Sequence, residues 1–75
     1  MQTKFQHILV KKEELFQYER SIKVPVRRIN SLEIVQWVYL PTSQIVMVPC
    51  GNYIEVSVPE WLVEKKVRIG FRIGG

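Results

Sequence analysis

The chain has 75 residues, a formal net charge of +4 and one cysteine. A chain this short is one domain with a thin core, burying about 60% of its unfolded surface, with an expected stability of roughly 4–11 kcal/mol. Cys50 has no mate for an internal disulfide, and Cys50 with His7 falls short of the four ligands of a structural zinc site. Packing must therefore hold the fold, helped by any self-association.

Valine and isoleucine supply 19 residues and aromatics 8 more, and alanine and aspartate are absent. β-branched and aromatic side chains suit a pleated sheet, so the chain reads as mostly β. Residues 4–10 form a first strand, and Lys11-Lys12-Glu13-Glu14 interrupts it. From Phe16 onward, Phe16, Tyr18, Ile22, Val24 and Val26 share one face, with Gln17, Glu19, Ser21, Lys23 and Arg27 on the other. That period of two predicts a half-buried strand. Arg20 breaks its apolar face, and Pro25, lacking an N–H, predicts an edge strand or a bend. A helix over 12–22, using Leu15, Tyr18 and Ile22, is the competing reading.

Asn30-Ser31 marks a turn. Residues 32–40 are apolar on both faces, with Leu32, Ile34 and Val38 opposed to Val35, Trp37 and Tyr39. A strand apolar on both sides is usually central. Pro41-Thr42-Ser43 ends it, and residues 44–49 form the next strand. A tight connection at Cys50-Gly51-Asn52 leads into Ile54, Val56 and Val58, alternating with Glu55 and Ser57. Residues 59–66 read as a short helix, with Pro59 at its first position, Glu60 near its start and Lys65 and Lys66 near its end. Too short to be stable alone, it must dock through Trp61 and Leu62. A last strand follows, with Val67, Ile69, Phe71 and Ile73 inward and Arg68, Gly70 and Arg72 outward. Residues 1–3 and 74–75 are expected to be frayed ends of a single domain spanning 1–75.

The element order is similar to an SH3-like fold. The expected architecture is a small SH3-like β-barrel or a curled antiparallel sheet of about five strands, with one short helix before the last strand. A fold of this type hosts many unrelated functions.

Charge is unevenly placed. Residues 1–28 carry a net +4, residues 29–62 a net −3 and residues 63–75 a net +3. Between Glu33 and Glu55 lies a charge-free run of 21 residues, the length of a bilayer-spanning helix. Two turn clusters, Pro41-Thr42-Ser43-Gln44 and Pro49-Cys50-Gly51-Asn52, argue against a span, as do flanking glutamates where lysines and arginines are expected. The run is expected to be the packed central strands, with no membrane partner. Residues 5–10 are too short and too polar for a signal core. One unpaired cysteine points to a reducing cytoplasm.

No catalytic, metal or cofactor signature is present. His7 sits in a weakly patterned strand, and Cys50 in a hairpin turn gives no sign of an activated thiol. Glu13 and Glu14 are neighbours and point apart, as loop charges do. Gly70, Gly74 and Gly75 follow no phosphate-loop spacing.

The segment Tyr39-Leu40-Pro41-Thr42-Ser43-Gln44-Ile45, with Val58-Pro59-Glu60-Trp61-Leu62-Val63-Glu64-Lys65-Lys66, resembles small proteins encoded by phages and mobile elements. Those carry an aromatic-aliphatic-Pro-x-Ser-x-aliphatic stretch and an aliphatic-Pro-x-Trp-Leu-x-x-Lys-Lys tail. This chain has Tyr39 where tryptophan is usual and runs on past Lys66. The resemblance covers about 30 residues and implies an origin rather than an activity.

The sequence thus predicts a non-enzymatic accessory protein that acts by contact with a host or phage protein, as an inhibitor or modulator. Val35, Trp37, Tyr39 and Trp61 are the expected patch, which would also serve a homodimer. The alternative is a nucleic-acid-binding barrel with a basic strip of Arg27, Arg28, Lys65, Lys66, Arg68 and Arg72, with Phe5, Tyr18 or Tyr53 stacking on bases. A homo-oligomeric structural protein is the third reading.

Overall fold

The computed structural model describes residues 3–74. Strand β1 (Phe5–Lys11) leads through a 3-10 turn (Lys12–Glu14) into β2 (Phe16–Gln17), which turns back into β3 (Ser21–Arg28). Strand β4 (Ile34–Pro41) leads through a 3-10 turn (Thr42–Gln44) into β5 (Val46–Cys50), which turns back into β6 (Tyr53–Pro59). Helix α1 (Glu60–Lys66) and strand β7 (Phe71–Ile73) follow. One sheet has the order β1-β6-β5; the other has the order β2-β3-β4, with β7 added on β3. Every pairing is antiparallel. The fold is therefore mostly β, two curled sheets with one helix before the last strand, and the sheets do not close into a barrel.

The two runs of strand, 3-10 turn, strand, hairpin and strand are equivalent, and they exchange partners: β1 pairs with β6, β4 with β3. The registers match residue for residue as far as Val26, where β3 and β4 slip by one and β1 and β6 do not. Val10 faces Ile54 as Leu40 faces Ile22, Ile8 faces Val56 as Val38 faces Val24, and Gln6 faces Val58 as Gln36 faces Val26. Even the backbone bonds at the corners correspond. Lys12 N–H donates to the Asn52 carbonyl at 3.1 Å, and Thr42 N–H donates to the Arg20 carbonyl at 3.1 Å. In each half, a first strand bends at its 3-10 turn and crosses from one sheet to the other, the way corners form between packed sheets.

The core is the inward face of this arrangement: Val10, Ile22, Val24, Val26, Val38, Leu40, Val56 and Val58, with Leu62 of α1 and Ile73 of β7. Removing this apolar surface from water is the main force that closes the two sheets. Pro25 lies inside β3, a strand paired on both sides, and not at an edge. Its carbonyl accepts from Gly74 N–H at 2.9 Å, so its nitrogen faces the same side, between β2 and β7. The missing donor falls where it is needed least.

Several expectations are corrected. Residues 16–27 are two strands and not one, and no helix forms over 12–22 beyond the 3-10 turn. The turn is Glu19-Arg20, with Tyr18 N–H bonded to the Ser21 carbonyl at 2.8 Å. That reversal pairs Phe16 with Lys23, so Phe16 and Tyr18 face outward, whereas Ile22, Val24 and Val26 face the core. Strand β4 is an edge strand and not a central one, and β5 is the edge of the other sheet. The charge-free run is thus packed inside on one face only: Val38 and Leu40 are in the core, whereas Val35, Trp37, Tyr39, Val46 and Val48 stand exposed along it. Helix α1 docks through Leu62, whereas Trp61 is 52% exposed. Ile69 lies fully exposed in a turn, and the last strand is only Phe71–Ile73.

Residues 1, 2 and 75 of the expected frayed ends lie outside the described residues. Gly74 is buried and docked. It adopts φ +81°, and a Cβ there would collide with the Leu9 carbonyl oxygen. Gly74→Ala is therefore expected to cost at least about 1–2 kcal/mol, the penalty of left-handed backbone for an L-residue, read as a lowered midpoint in thermal unfolding. An unchanged midpoint would show that this end does not dock.

Candidate functional site

The outer face of the β2-β3-β4 sheet carries Phe16 and Tyr18 from the first hairpin, Lys23 from β3, and Trp37 and Tyr39 from β4. Register brings them together, because Lys23 lies opposite both Phe16 and Tyr39. Phe16 meets Trp37 edge-on with centroids 5.8 Å apart, and Tyr18 meets Tyr39 at 5.9 Å. The Lys23 ammonium sits 4.9 Å from the Phe16 centroid and 5.4 Å from that of Trp37. The site is thus two ring pairs, with one cation held by the Phe16 and Trp37 pair.

The four rings are 38–52% exposed, which leaves on the order of 270–450 Å² open at roughly 150–250 Å² per ring. Patches of about 300–600 Å² are the largest on typical monomers and are often functional. Strand β4 adds its own edge. Opposite residues in an antiparallel ladder turn their polar groups either toward or away from each other. Pro25 turns its groups toward Gly74, so its partner Trp37 turns its own N–H and C=O away from β3, to the open edge, as does Tyr39.

The equivalence of the two halves supplies an internal control. The positions matching Phe16, Tyr18, Lys23, Trp37 and Tyr39 on the other sheet are Val48, Cys50, Glu55, His7 and Leu9. At those five positions the same backbone carries no phenylalanine, tyrosine or tryptophan and has a glutamate in place of the lysine, and the Phe5 and Tyr53 rings on that face are not paired with another ring. Inward positions stay apolar in both halves. The rings are therefore not a requirement of the architecture.

Of the expected patch, Trp37 and Tyr39 are brought together, and Val35 stands at the same edge. Trp61 is not joined to them. It belongs to α1, which packs on β1 and β6, and among the described residues no ring contact links it to the face. Phe16 and Tyr18 complete the face instead. Their signal was the flip of parity at Glu19-Arg20, a turn without glycine, asparagine or proline.

The basic strip is divided. Arg27 is 5% exposed. Its Nε donates to the Leu32 carbonyl at 2.9 Å, Nη1 to the Gly74 carbonyl at 3.0 Å and Nη2 to Glu14 Oε2 at 2.5 Å. Glu14 is accordingly the partner of a buried arginine and not a loop charge. Arg72 donates to the carbonyls of Gly74 and Ser31 at 2.9 and 3.0 Å. Arg28, Lys65, Lys66 and Arg68 remain exposed. Of the expected stacking rings, Tyr18 lies on the aromatic face, Phe5 on β1 and Tyr53 in a shallow recess with Lys11, Lys12, Glu13 and Asn52.

On the other sheet, His7 Nδ1 lies 2.8 Å from Ser57 Oγ and 3.8 Å from Glu55 Oε1. Strand alternation puts Glu55 and Ser57 on that face. Both contacts converge on one ring nitrogen, whereas a serine–histidine–acid relay needs the two nitrogens to serve opposite partners. Cys50 is exposed at the end of β5. Among the described residues no cluster of three or more metal-ligating side chains forms, and no helix is long and apolar enough to cross a membrane. No protein-family model matches the chain, nor does any curated protein or solved structure.

Proposed function

We propose that this chain is a non-enzymatic accessory protein that acts by contact with another protein, through the face of Phe16, Tyr18, Trp37 and Tyr39 around Lys23. The observation that carries the reading is the one-sidedness of that face. The architecture offers two equivalent outer surfaces, and among the described residues only one gathers its rings into contact, whereas Phe5 and Tyr53 stand apart on the other. Exposed, preorganised aromatics are typical interface anchors, because they contribute large area with few rotors to immobilise. The open edge of β4 adds main-chain donors and acceptors at the same place. The resemblance to phage and mobile-element proteins supports a host or phage complex as the target, and the lone cysteine suits the cytoplasm.

The test is affinity capture from a lysate of the source cell with wild type, Trp37→Ala and the control His7→Ala. Trp37→Ala is expected to weaken a captured partner by about 30-fold or more, the scale of a hot-spot loss of about 2 kcal/mol. His7→Ala, at the equivalent position, should capture as wild type does. Identical partners and yields for Trp37→Ala and wild type would refute the reading.

A further inference from the structure

Strands β3 and β4 fall out of register between Val26 and Arg27: Val26 faces Gln36, but Arg27 faces Ile34, leaving Val35 as an extra residue on β4. Such a bulge bends the strand and re-aims its side chains, and bulges are frequent beside functional sites. Here it opens a cleft of about 220 Å³ lined by Val26, Arg28, Val35, Gln36, Arg68 and Phe71. We infer that this cleft is a binding site for a phosphate group of single-stranded nucleic acid, gripped between the Arg28 and Arg68 guanidinium groups.

The charge arrangement supports an anion. Two arginines and one amide line the cleft, and no carboxylate does. Among the described residues neither Arg28 nor Arg68 has an ion-pair partner or a side-chain hydrogen bond, whereas the side-chain bonds of Arg27 and Arg72 hold the fold together. Glu64 lies in a separate recess with Arg68 and Arg72, and not in this one. Arg28 is held over the Phe71 ring, with its guanidinium carbon 5.9 Å from the centroid. A guanidinium offers a planar fork of donors that matches phosphate oxygens, and two forks can grip one group.

The surroundings favour a single strand. Phe71, Val26 and Val35 give the cleft an apolar wall for a sugar or base, a combination of stacking surface and cations suited to unpaired nucleotides. Lys65 and Lys66, at the end of α1 just before Arg68, extend the positive charge to a neighbouring phosphate. A duplex needs a longer basic surface than two arginines and two lysines provide.

The probe is a fluorescein-labelled ten-residue oligothymidylate, followed by anisotropy from 20 to 200 mM salt. Each phosphate neutralised on a single strand contributes about 0.7 to the logarithmic salt slope, so the phosphate in the cleft and the neighbouring one beside Lys65 and Lys66 together predict about a 25-fold loss of affinity over this range. Arg28→Ala and Arg68→Ala, each of which breaks the grip on the cleft phosphate, should lower the slope by about 0.7, and His7→Ala on the other sheet should leave it unchanged. Arg28→Lys, which keeps the charge and loses the fork, guards against a folding defect and should also bind more weakly. Inorganic phosphate should compete at millimolar concentration. No binding at 20 mM salt, binding insensitive to both arginine variants, a duplex bound as tightly as the single strand, or a glutamate decapeptide competing equally would each overturn the inference. None of these outcomes bears on the aromatic face.

Discussion

Replacing Arg27 with methionine is expected to cost the fold about 3–5 kcal/mol, the scale of a buried ion pair broken by loss of one partner. Arg27 ties three segments that are remote in sequence: Glu14 in the first 3-10 turn, Leu32 in the connection between the halves and Gly74 beyond β7. Glu14 Oε1 is already buried without a partner, so removing the guanidinium leaves the whole carboxylate unpaired. Against a total stability of roughly 4–11 kcal/mol, this loss approaches global unfolding. Urea denaturation measures it. The double variant Arg27→Met with Glu14→Met should regain part of the loss, because it removes the stranded charge, though the Leu32 and Gly74 carbonyls stay undonated. A double variant no more stable than Arg27→Met would show that the carbonyl bonds, and not the ion pair, dominate.

The second large effect contrasts neighbours on β4. Leu40 is fully buried, whereas Tyr39 turns to the outer face and is half exposed. Leu40→Ala should cost about 2–5 kcal/mol through lost burial and the cavity left behind. Tyr39→Ala should cost about 1 kcal/mol or less, since it loses only its contacts to Tyr18 and the strand surface. Parallel urea titrations decide it. Equal costs would mean that the rings belong to the folding core, and the recognition face would lose its basis.

Local pattern made much of the fold legible. Gly51-Asn52 between alternating runs marks the β5–β6 hairpin, and Pro59 followed by Glu60 and closing lysines marks α1. The duplication has a trace as well: Ile22, Val24 and Val26 recur as Ile54, Val56 and Val58, each set closing its half. Other features were hidden. Glu19-Arg20 makes a two-residue reversal without a turn-forming residue, unlike the turn marked in the sequence by Asn30-Ser31, where Asn30 takes positive φ. Arg27 alternates as an outward residue in β3 and is buried by segments that arrive from elsewhere. Trp61 reads as an anchor because it is large and apolar, yet the helix turns Leu62 to the core instead.

The sequence by itself determined the β character, the short helix and which residues alternate, because backbone propensity and side-chain period act over a few neighbours. Sheet order, the exchange of partners between the halves and the assignment of the charge-free run to two edges were decided only in three dimensions. A strand apolar on both faces has the same local pattern whether it is central or at an edge. What distinguishes the two is which strand lies beside it, and that depends on pairings between residues far apart in the chain. The same holds for the candidate sites. The rings, the open pair of arginines and the structural pair are all visible as letters, and only the register of β3 against β2, β4 and β7 sorts them into a face, a cleft and a clasp.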